Sequence, residues 1–252
     1  MVLTLVLLRH GQSVWNEQNL FTGWEDVGLT ATGEREAIAA GRLLADEPGL
    51  DLRSLHTSVL VRAIRTAELA LAEAGRSWLP VSRSWRLNER HYGDLTGKDK
   101  RETAERYGRD QLQAWRRSYD VAPPAMPAGD PRRSDADPRY RDVPRESLPA
   151  TECLKDVVER ALPYFEQAIV PDLVAQGARG GAVLVAAHGN SLRALRMHLE
   201  RIAPADIVSL EVPTGIPFVY ELGDDLAVVS SRYLGDAAAA AAAAEAVARQ
   251  AG

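Results

Sequence analysis

The chain has 252 residues, a formal net charge of −5, 46% hydrophobic residues and a single cysteine, which suits one large α/β domain, or two small ones, with an ample core. The acidic balance argues against a general nucleic-acid-binding protein, since such proteins are normally basic, and one cysteine excludes an internal disulfide. The N-terminus lacks the basic segment and cleavage site of a signal peptide, and no apolar run approaches the roughly 20 residues of a membrane-spanning helix, so we expect a soluble cytoplasmic protein.

The first predicted element is a strand over residues 2–8, which are all apolar or β-branched. A run without polar alternation is typical of a strand buried on both faces of a parallel sheet. It ends in Arg9-His10-Gly11, at the carboxyl end where open α/β sheets place their ligands. A second apolar run, 182–187, ends in His188-Gly189-Asn190. We therefore predict that the two histidines face one cleft.

The segment after the first strand interleaves polar side chains with large aromatics and glycine, over 12–16 and 21–24. Such a loop can present Ser13, Asn16, Thr22 and the amide of Gly23 to an anion. It can equally be a well-packed surface loop, because these residue types are common in loops. The spacing alone does not decide between the two interpretations.

Further along the chain, apolar periodicity and cap residues predict alternating helices and strands. The predicted helices cover 30–47 with Thr30 as N-cap, 58–74 with Ser58 as N-cap, 100–118, a helix from 151 with a kink at Pro163, and 190–201. The predicted strands cover 52–57, 78–81, 206–212, 217–222 and 226–233, with the last ones expected at a sheet edge. Residues 119–149 hold seven of the 14 prolines and are predicted to form a long loop.

This order of elements predicts a single α/β domain over 1–236, with a helical and Pro-rich insertion at 94–150. Residues 237–252 form an Ala-rich tail beyond the cap candidate Asp236. Alanine favours helix but buries little surface. We therefore expect a loosely attached helical or frayed tail.

Four arginines stand near the predicted cleft or at helix ends. Arg62 and Arg65 lie in the first two turns of a helix, where a cation gains nothing from the helix dipole but can extend an anion site. A solvated or salt-bridged role fits Arg65 better than Arg62, which lies closer to the strand end. For Arg116 and Arg117 the end of a helix is by itself an adequate explanation.

The cleft residues suit phosphoryl transfer. An unprotonated imidazole at His10 can attack phosphorus, and Arg9 and Arg62 would lower its pKa and hold phosphoryl oxygens. His188 would donate another hydrogen bond to those oxygens. Glu89 is then the natural general acid or base.

Two other interpretations stay open at this point. Two histidines and one carboxylate also form the facial triad of non-heme iron sites, although converging arginines repel a divalent metal. A non-catalytic sensor of phosphate metabolites would explain the arginines but not Glu89. The other histidines have structural explanations: His56 as a satisfied core residue and His198 as a packed or solvated helix residue, with His91 undecided.

An ordered set of motifs resembles the cofactor-dependent phosphoglycerate mutases of the histidine phosphatase superfamily. The matching motifs are Arg9-His10-Gly11 through Asn16, Phe21-Thr22-Gly23-Trp24, Leu87 through Gly93, Trp115-Arg116-Arg117 and Ala186 through Ala194. The agreement runs from about residue 2 to 236. A lone Arg-His-Gly would be weak, but the ordered set is very specific.

The resemblance implies a three-layer α/β/α sandwich with a mostly parallel sheet. It also implies that His10 carries the phosphoryl group, Glu89 moves the proton and His188 stabilises the transferring group, with Arg9 and Arg62 in the catalytic set. The residues that it implies for binding substrate phosphate or carboxylate are Arg9, Asn16, Thr22, Gly23, Arg62, Glu89, Tyr92, Lys100, Arg116, Arg117, Gly189 and Asn190.

The family implies interconversion of 3-phosphoglycerate and 2-phosphoglycerate in glycolysis and gluconeogenesis, primed by 2,3-bisphosphoglycerate and without a metal. Ser13 favours the glycolytic mutase over the bisphosphoglycerate mutase branch, which resembles a version with glycine there. Lys98, Asp99 and Cys153 depart from the usual residues without touching the catalytic set. The oligomeric state, dimer or tetramer among the options, is left open.

Water has to be kept from a phosphohistidine, or the enzyme becomes a phosphatase. The segments free to act as a cover are the Pro-rich stretch and the Ala-rich tail. We expect the tail to form one part of it.

Overall fold

The computed structural model describes residues 2–236, 238, 240–242 and 244–245. Its strands are β1 (Leu3–Arg9), β2 (Leu52–Thr57), β3 (Val81–Arg83), β4 (Ala182–Ala187), β5 (Phe218–Leu222) and β6 (Val228–Tyr233). They form one sheet in the order β3-β2-β4-β1-β5-β6. The pairs β3-β2, β2-β4 and β4-β1 are parallel, and β5 is antiparallel to both β1 and β6. The sheet is therefore mostly parallel, as predicted.

The helices are α1 (Val14–Glu17), α2 (Ala31–Asp46), α3 (Val61–Glu73), α4 (Lys100–Tyr107), α5 (Arg109–Arg117), α6 (Leu154–Tyr164), α7 (Val170–Gly177) and α8 (Gly189–Leu199). A π-helical turn, Phe165–Ile169, joins α6 to α7. Helices α2 and α3 pack on one face of the sheet, and α6, α7 and α8 pack on the other. The predicted three-layer α/β/α sandwich is confirmed. Within the described residues, no helix combines the length and the apolar character needed to cross a bilayer.

The central strand β1 is buried on both faces because its side chains alternate between two apolar cores. Leu5 and Leu7 pack in the core that contains α7 and α8. Val6 and Leu8 pack in the core beneath α2 and α3. Full burial of each such side chain contributes about 1.5–3 kcal/mol to folding. The position of β1 is therefore strongly fixed, and with it the residues that follow its carboxyl end.

Because β2, β4 and β1 are parallel neighbours, the chain segments that follow their carboxyl ends lie side by side at one end of the sheet. Arg9 on β1 pairs with Ala187 on β4, and Thr57 on β2 pairs with Ala186. The next residues along the chain are His10, His188 and Ser58. The two histidines therefore meet at one edge, as the repeated strand pattern predicted.

Two predicted elements are wrong. The strand predicted over 206–212 is a 3-10 turn, Ile207–Ser209, followed by extended chain outside the sheet. Its backbone carbonyls accept hydrogen bonds from arginine side chains instead of from a strand. The single helix predicted over 100–118 is two helices, because Gly108 between them adopts φ 87° and interrupts the helical path.

Smaller differences concern boundaries. Leu60, not Ser58, is the N-cap of α3, and the Ser58 hydroxyl bonds both to His188 and to the backbone N of Leu60. The strand predicted over 78–81 begins only at Val81, and Trp78 is exposed. Of the last two predicted strands, β5 is internal in the sheet and β6 lies at one edge. Thr30 does cap α2, where its hydroxyl accepts a hydrogen bond from Gly33 N.

The segment 119–149 contains no α-helix or strand, and short 3-10 turns supply its regular structure. The described residues after Asp236 are helical, and Asp236 accepts hydrogen bonds from the backbone of Ala238 and Ala240. The predictions of a frayed tail and of its role as a cover concern 237–252, and most of these residues lie outside the described ones.

Candidate active site

His10 follows the end of β1 and is almost completely buried. Its backbone N donates to the carbonyl of Ala187, which ties it to β4 at 3.0 Å. Its ring Nδ1 lies 2.7 Å from the carbonyl of Gly11. A carbonyl only accepts hydrogen bonds, so Nδ1 carries the proton and Nε2 keeps its lone pair. The backbone thus fixes the tautomer in which Nε2 is a nucleophile.

The charge state of His10 suits the same role. Burial lowers the pKa of this imidazole, and the guanidinium groups of Arg62 and Arg9 lower it further, to well below the usual value of 6.5. The hydrogen bond to Gly11 acts in the other direction but is outweighed. His10 is therefore neutral at physiological pH.

Arg62 is placed by the loop that carries the Phe21-Thr22-Gly23-Trp24 motif. Its guanidinium donates to the carbonyls of Gly23 at 2.7 Å and Glu25 at 2.9 Å. Burial lowers the pKa of Arg62 to about 10, which leaves it charged at neutral pH. Because the positive φ of Gly23, 56°, turns the loop here, the loop can hold the arginine beside the histidine pair.

His188 lies next to His10, and its Nε2 is 2.7 Å from the Ser58 hydroxyl. The Ser58 oxygen also accepts from the backbone N of Leu60 at 3.2 Å. With the Ser58 hydrogen directed to Nε2 of His188, the imidazole proton is on Nδ1. Nδ1 has no partner within the described residues. In this tautomer His188, whose pKa lies well below the usual value, is a neutral donor with a free N–H, the form expected of a group that holds a phosphoryl oxygen.

Glu89 is ionised at neutral pH despite its burial. Burial raises the pKa of this carboxyl, but hydrogen bonds from the backbone of Arg90 and the side chain of Asn190, together with nearby Arg9 and Arg62, lower it below its usual value. Three donors converge on Oε1: Arg90 N at 2.7 Å, Asn190 Nδ2 at 2.8 Å and Asn190 N at 3.1 Å. Oε2 remains for proton transfer.

A buried ion pair holds the segment that carries Glu89. Arg160 of α6 bonds to Glu152 at 2.6 Å, and its guanidinium donates to the backbone carbonyls of Arg86, Asn88 and Glu89. The other oxygen of Glu152 accepts from the backbone N of His91 at 2.7 Å. The ion pair of Arg160 and Glu152 therefore holds the backbone on both sides of Glu89, and we call this pair the clamp. Nothing in the local sequence pattern indicates it.

A cavity in front of the histidines collects the predicted binding residues. It is lined by Arg9, His10, Asn16, Leu20, Phe21, Thr22, Gly23, Arg62, Glu89, Tyr92, Lys100, Arg116, Arg117, Gly189, Asn190, Arg193, Glu211 and Val212. Every residue that the family resemblance implies for binding is in this set, and His188 lies beside it against His10. Ser13 is not among the lining residues, because its hydroxyl caps α1. No sequence pattern indicated Arg193 or Glu211 as residues of the cavity. Arg193 occupies a helix face, and Glu211 falls in the segment wrongly predicted as a strand.

The cavity suits an anion because several buried donors around it lack an acceptor. Within the described part of the chain, Nε of Arg9, Nη1 of Arg116, Nε of Arg193 and Oγ1 of Thr22 have no partner. Burial lowers the pKa of Lys100 to about 7 and that of Arg193 to about 9. Phosphate or carboxylate oxygens would accept hydrogen bonds from the unpartnered donors and would stabilise the charged forms of the buried Lys100 and Arg193. The donor set therefore fits a small molecule with more than one anionic group.

The residues given structural explanations are located as those explanations expect. Arg65 is exposed and pairs with Glu34 at 3.4 Å. His56 bonds to Tyr164 and to Asp172, so it is a satisfied core residue. His198 packs against an aromatic ring on the helix face. The undecided His91 accepts a hydrogen bond from Gly93 N at 3.0 Å.

The spacing alone would also admit a metal. One ligand atom each from His10, Glu89 and His188 lies within 4.8 Å of the others. The charges around them favour a different ligand, because Arg62 and Arg9 lower the pKa of both histidines and would repel a divalent cation in the same way. The geometry and the charges together favour an anion held for transfer to His10.

Comparison with known proteins gives a consistent set of similarities. A family model described as "Histidine phosphatase superfamily (branch 1)" matches residues 5–142. Proteins of Nitratidesulfovibrio vulgaris strain Hildenborough and of Clavibacter sepedonicus, both called 2,3-bisphosphoglycerate-dependent phosphoglycerate mutase, are 57% and 58% identical over 98% of this chain and 96% of each relative. The structure of a mycobacterial glucosyl-3-phosphoglycerate phosphatase matches with a TM-score of 0.64 and 25% identity, over 92% of this chain and 97% of that one.

Proposed function

This chain belongs to branch 1 of the histidine phosphatase superfamily, and we propose that it interconverts 3-phosphoglycerate and 2-phosphoglycerate through a phosphohistidine on His10. The observation that carries the proposal is the pairing of a neutral His10, whose Nε2 lone pair is kept free by the Gly11 carbonyl, with the ionised Glu89 beside it. A nucleophile and a proton acceptor within one cationic cavity are what phosphoryl exchange between hydroxyls requires.

His10 accepts and returns the phosphoryl group. A bond from Nε2 to phosphorus forms while the bond from phosphorus to the ester oxygen breaks, and the reverse step regenerates the imidazole. The transferring group spreads negative charge over its oxygens. Arg9 and Arg62, which flank His10, stabilise that charge together with the free N–H of His188. Primer 2,3-bisphosphoglycerate supplies the first phosphoryl group.

Glu89 moves the proton. When a phosphoglycerate hydroxyl attacks phosphohistidine, the carboxylate takes its proton, and when an ester oxygen leaves, the carboxylic acid returns one. The lowered pKa means that the resting carboxylate is ready to act as the base. The clamp by Arg160 and Glu152 keeps it in position for both steps.

The remainder of the cavity binds the rest of the three-carbon acid. Lys100, Arg116 and Arg117 line the cavity with His10 and provide cations for the carboxylate and a second phosphate. Asn16 adds an amide: its oxygen accepts from Ser13 N, so its NH₂ group is available to the ligand. A cytoplasmic location, action in glycolysis and gluconeogenesis, and catalysis without a metal are parts of the same proposal.

The test is to supply 3-phosphoglycerate with and without a catalytic amount of 2,3-bisphosphoglycerate and to follow 2-phosphoglycerate by enolase coupling. We expect turnover that depends on the bisphosphate. A well-folded sample that binds phosphoglycerates without turnover would favour the sensor instead. Release of inorganic phosphate without 2-phosphoglycerate would identify a phosphatase.

A further inference from the structure

One carboxylate in the cavity has no role in the proposed chemistry. Glu211 lines the cavity, and its Oε1 lies 2.5 Å from Nη1 of Arg117, with both side chains largely buried. A negative group at this place opposes the binding of phosphoglycerates, because it repels them and occupies one of the cations that would hold them. The pairing therefore requires an explanation.

Glu211 is held firmly in this position. Arg9 Nη1 donates to the carbonyl of Val212 at 2.7 Å, and Gly215 N donates back to the carbonyl of Arg9 at 3.1 Å. On the other side, Arg193 donates to the carbonyl of Ile207 at 2.7 Å. Three hydrogen bonds thus tie the segment that carries Glu211 to residues of the cavity. The carboxylate is a fixed part of the wall.

The negative charge of Glu211 affects several of the cationic side chains that line the cavity. Burial lowers the pKa values of Arg9 and Arg116, and the Glu211 carboxylate acts against that lowering in both. It acts in the same direction on Arg193. A single negative charge therefore reduces the positive potential that a bound anion experiences at several contacts, and not only at Arg117.

We propose that Glu211 is a specificity-determining residue that weakens the binding of ligands in proportion to their negative charge. The proposal rests on the proposed function. A bisphosphoglycerate carries one phosphate more than a monophosphoglycerate and experiences the larger repulsion. Glu211 thereby keeps the cavity from retaining the bisphosphate or a product too tightly, because strong uniform binding would slow release without speeding the chemical steps.

The experiment measures binding by calorimetry in a His10→Ala background, where phosphoryl transfer to His10 is blocked. Inorganic phosphate, 3-phosphoglycerate and 2,3-bisphosphoglycerate are titrated into His10→Ala and into His10→Ala with Glu211→Gln. Glutamine keeps an oxygen for Arg117 while removing the charge. We expect tighter binding in the second protein, by about twofold for phosphate rising to about tenfold for the bisphosphate, and a smaller gain in high salt.

Glu34→Gln is the matched control, because Glu34 pairs with Arg65 on the exposed surface and should change no affinity. The proposal would be overturned by equal gains in affinity for all three ligands, or by no gain. Weaker binding in a variant whose thermal unfolding is unchanged would also overturn it. The affinities require no turnover, so a chain that shows the graded gain but makes no 2-phosphoglycerate would contradict the proposed function alone. In active enzyme, Glu211→Gln should lower both KM and kcat, since release becomes slower.

Discussion

The imidazole rings of His10 and His188 lie 4.9 Å apart between centroids, with their planes at 61°. They follow adjacent parallel strands, and each is held through a different ring nitrogen: Nδ1 of His10 by the Gly11 carbonyl and Nε2 of His188 by Ser58. The free nitrogen is therefore an acceptor in His10 and, with the Ser58 hydrogen on Nε2, a donor in His188. One pair of identical side chains thus supplies a nucleophile and a stabilising N–H.

Ser58→Ala tests the assignment for His188. Without the hydroxyl, the tautomer with its proton on Nδ1 loses its support, and kcat should fall by about tenfold to 100-fold with little change in KM. Nitrogen NMR of labelled histidine should show the proton of His188 moving toward Nε2. Ser209→Ala, at an exposed hydroxyl that bonds only to the carbonyl of Asp206 among the described residues, is the control. An unchanged kcat and NMR spectrum in Ser58→Ala would contradict the assignment.

Ligand binding should be coupled to protonation of Lys100. Burial, and after it the charge of Arg116, lower the pKa of Lys100 to about 7, so much of this amine is neutral at pH 8 in the free protein. A bound anion raises that pKa again. Calorimetry of 3-phosphoglycerate at pH 8 in buffers of different ionisation enthalpy should show proton uptake, at a pH where the phosphate is already dianionic.

The affinity for 3-phosphoglycerate should accordingly fall as the pH rises through the pKa of Lys100 in the free protein, which is about 7. Lys100→Met should abolish the proton uptake and weaken binding, whereas Lys155→Met, at an exposed lysine, should do neither. Uptake of the same size in Lys100→Met would assign the proton to another group.

The clamp on Glu89 gives a third prediction. Arg160→Met breaks a buried ion pair and frees the backbone on both sides of Glu89, so kcat should fall by about 100-fold while KM changes little, because the cavity cations stay in place. Stability should fall by about 3–5 kcal/mol, since Glu152 is left buried and unpaired.

Arg160→Met with Glu152→Gln separates the two effects. Removing the orphan charge should restore part of the stability but not kcat. Arg65→Met, which removes an exposed arginine, is the matched control and should leave both quantities near wild type. Recovery of kcat in parallel with stability would mean that the clamp acts on folding alone.

Metal dependence gives a fourth prediction. Exhaustive chelation should leave mutase activity intact, because the proposed steps use only protein cations. Added Zn²⁺ should not raise activity, because Arg62 and Arg9 repel a divalent cation from His10, Glu89 and His188, whose ligand atoms lie within 4.8 Å of one another. Loss of activity on chelation, with recovery on adding one metal, would restore the metal interpretation.

The sequence predicts well which residues meet at the carboxyl ends of the central parallel strands, because two local signals coincide there. Uninterrupted apolar runs identify β1 and β4 as buried strands, and parallel neighbours place the residues after them side by side. Once those strands are adjacent, His10 and His188 have little freedom to lie elsewhere. Arg116 and Arg117 differ, since their position at a helix end was explained without a ligand and only the family resemblance suggested a binding role.

The errors and omissions arise where long-range contacts outweigh local pattern. Residues 206–212 hold apolar positions that favour a strand, but this stretch lies outside the sheet, and the side chains of Arg9 and Arg193 donate to its backbone carbonyls. Glu211 was missed for the same reason. Arg160 lies on an amphipathic helix, and its contact with the backbone beside Glu89 depends on how that helix packs, which no spacing encodes.

The central claim is that the Nε2 of His10 takes the phosphoryl group, and trapping the phosphoenzyme tests it most directly. The protein is mixed briefly with 2,3-bisphosphoglycerate at several pH values and is then digested at alkaline pH. The acid-labile phosphate is located by mass spectrometry. Because the pKa of His10 is well below 6.5, we predict phosphorylation on His10 at a rate that does not decline as pH falls from 8 to about 6, and none in His10→Ala. A phosphoryl group on His188, or labelling that survives in His10→Ala, would contradict the account.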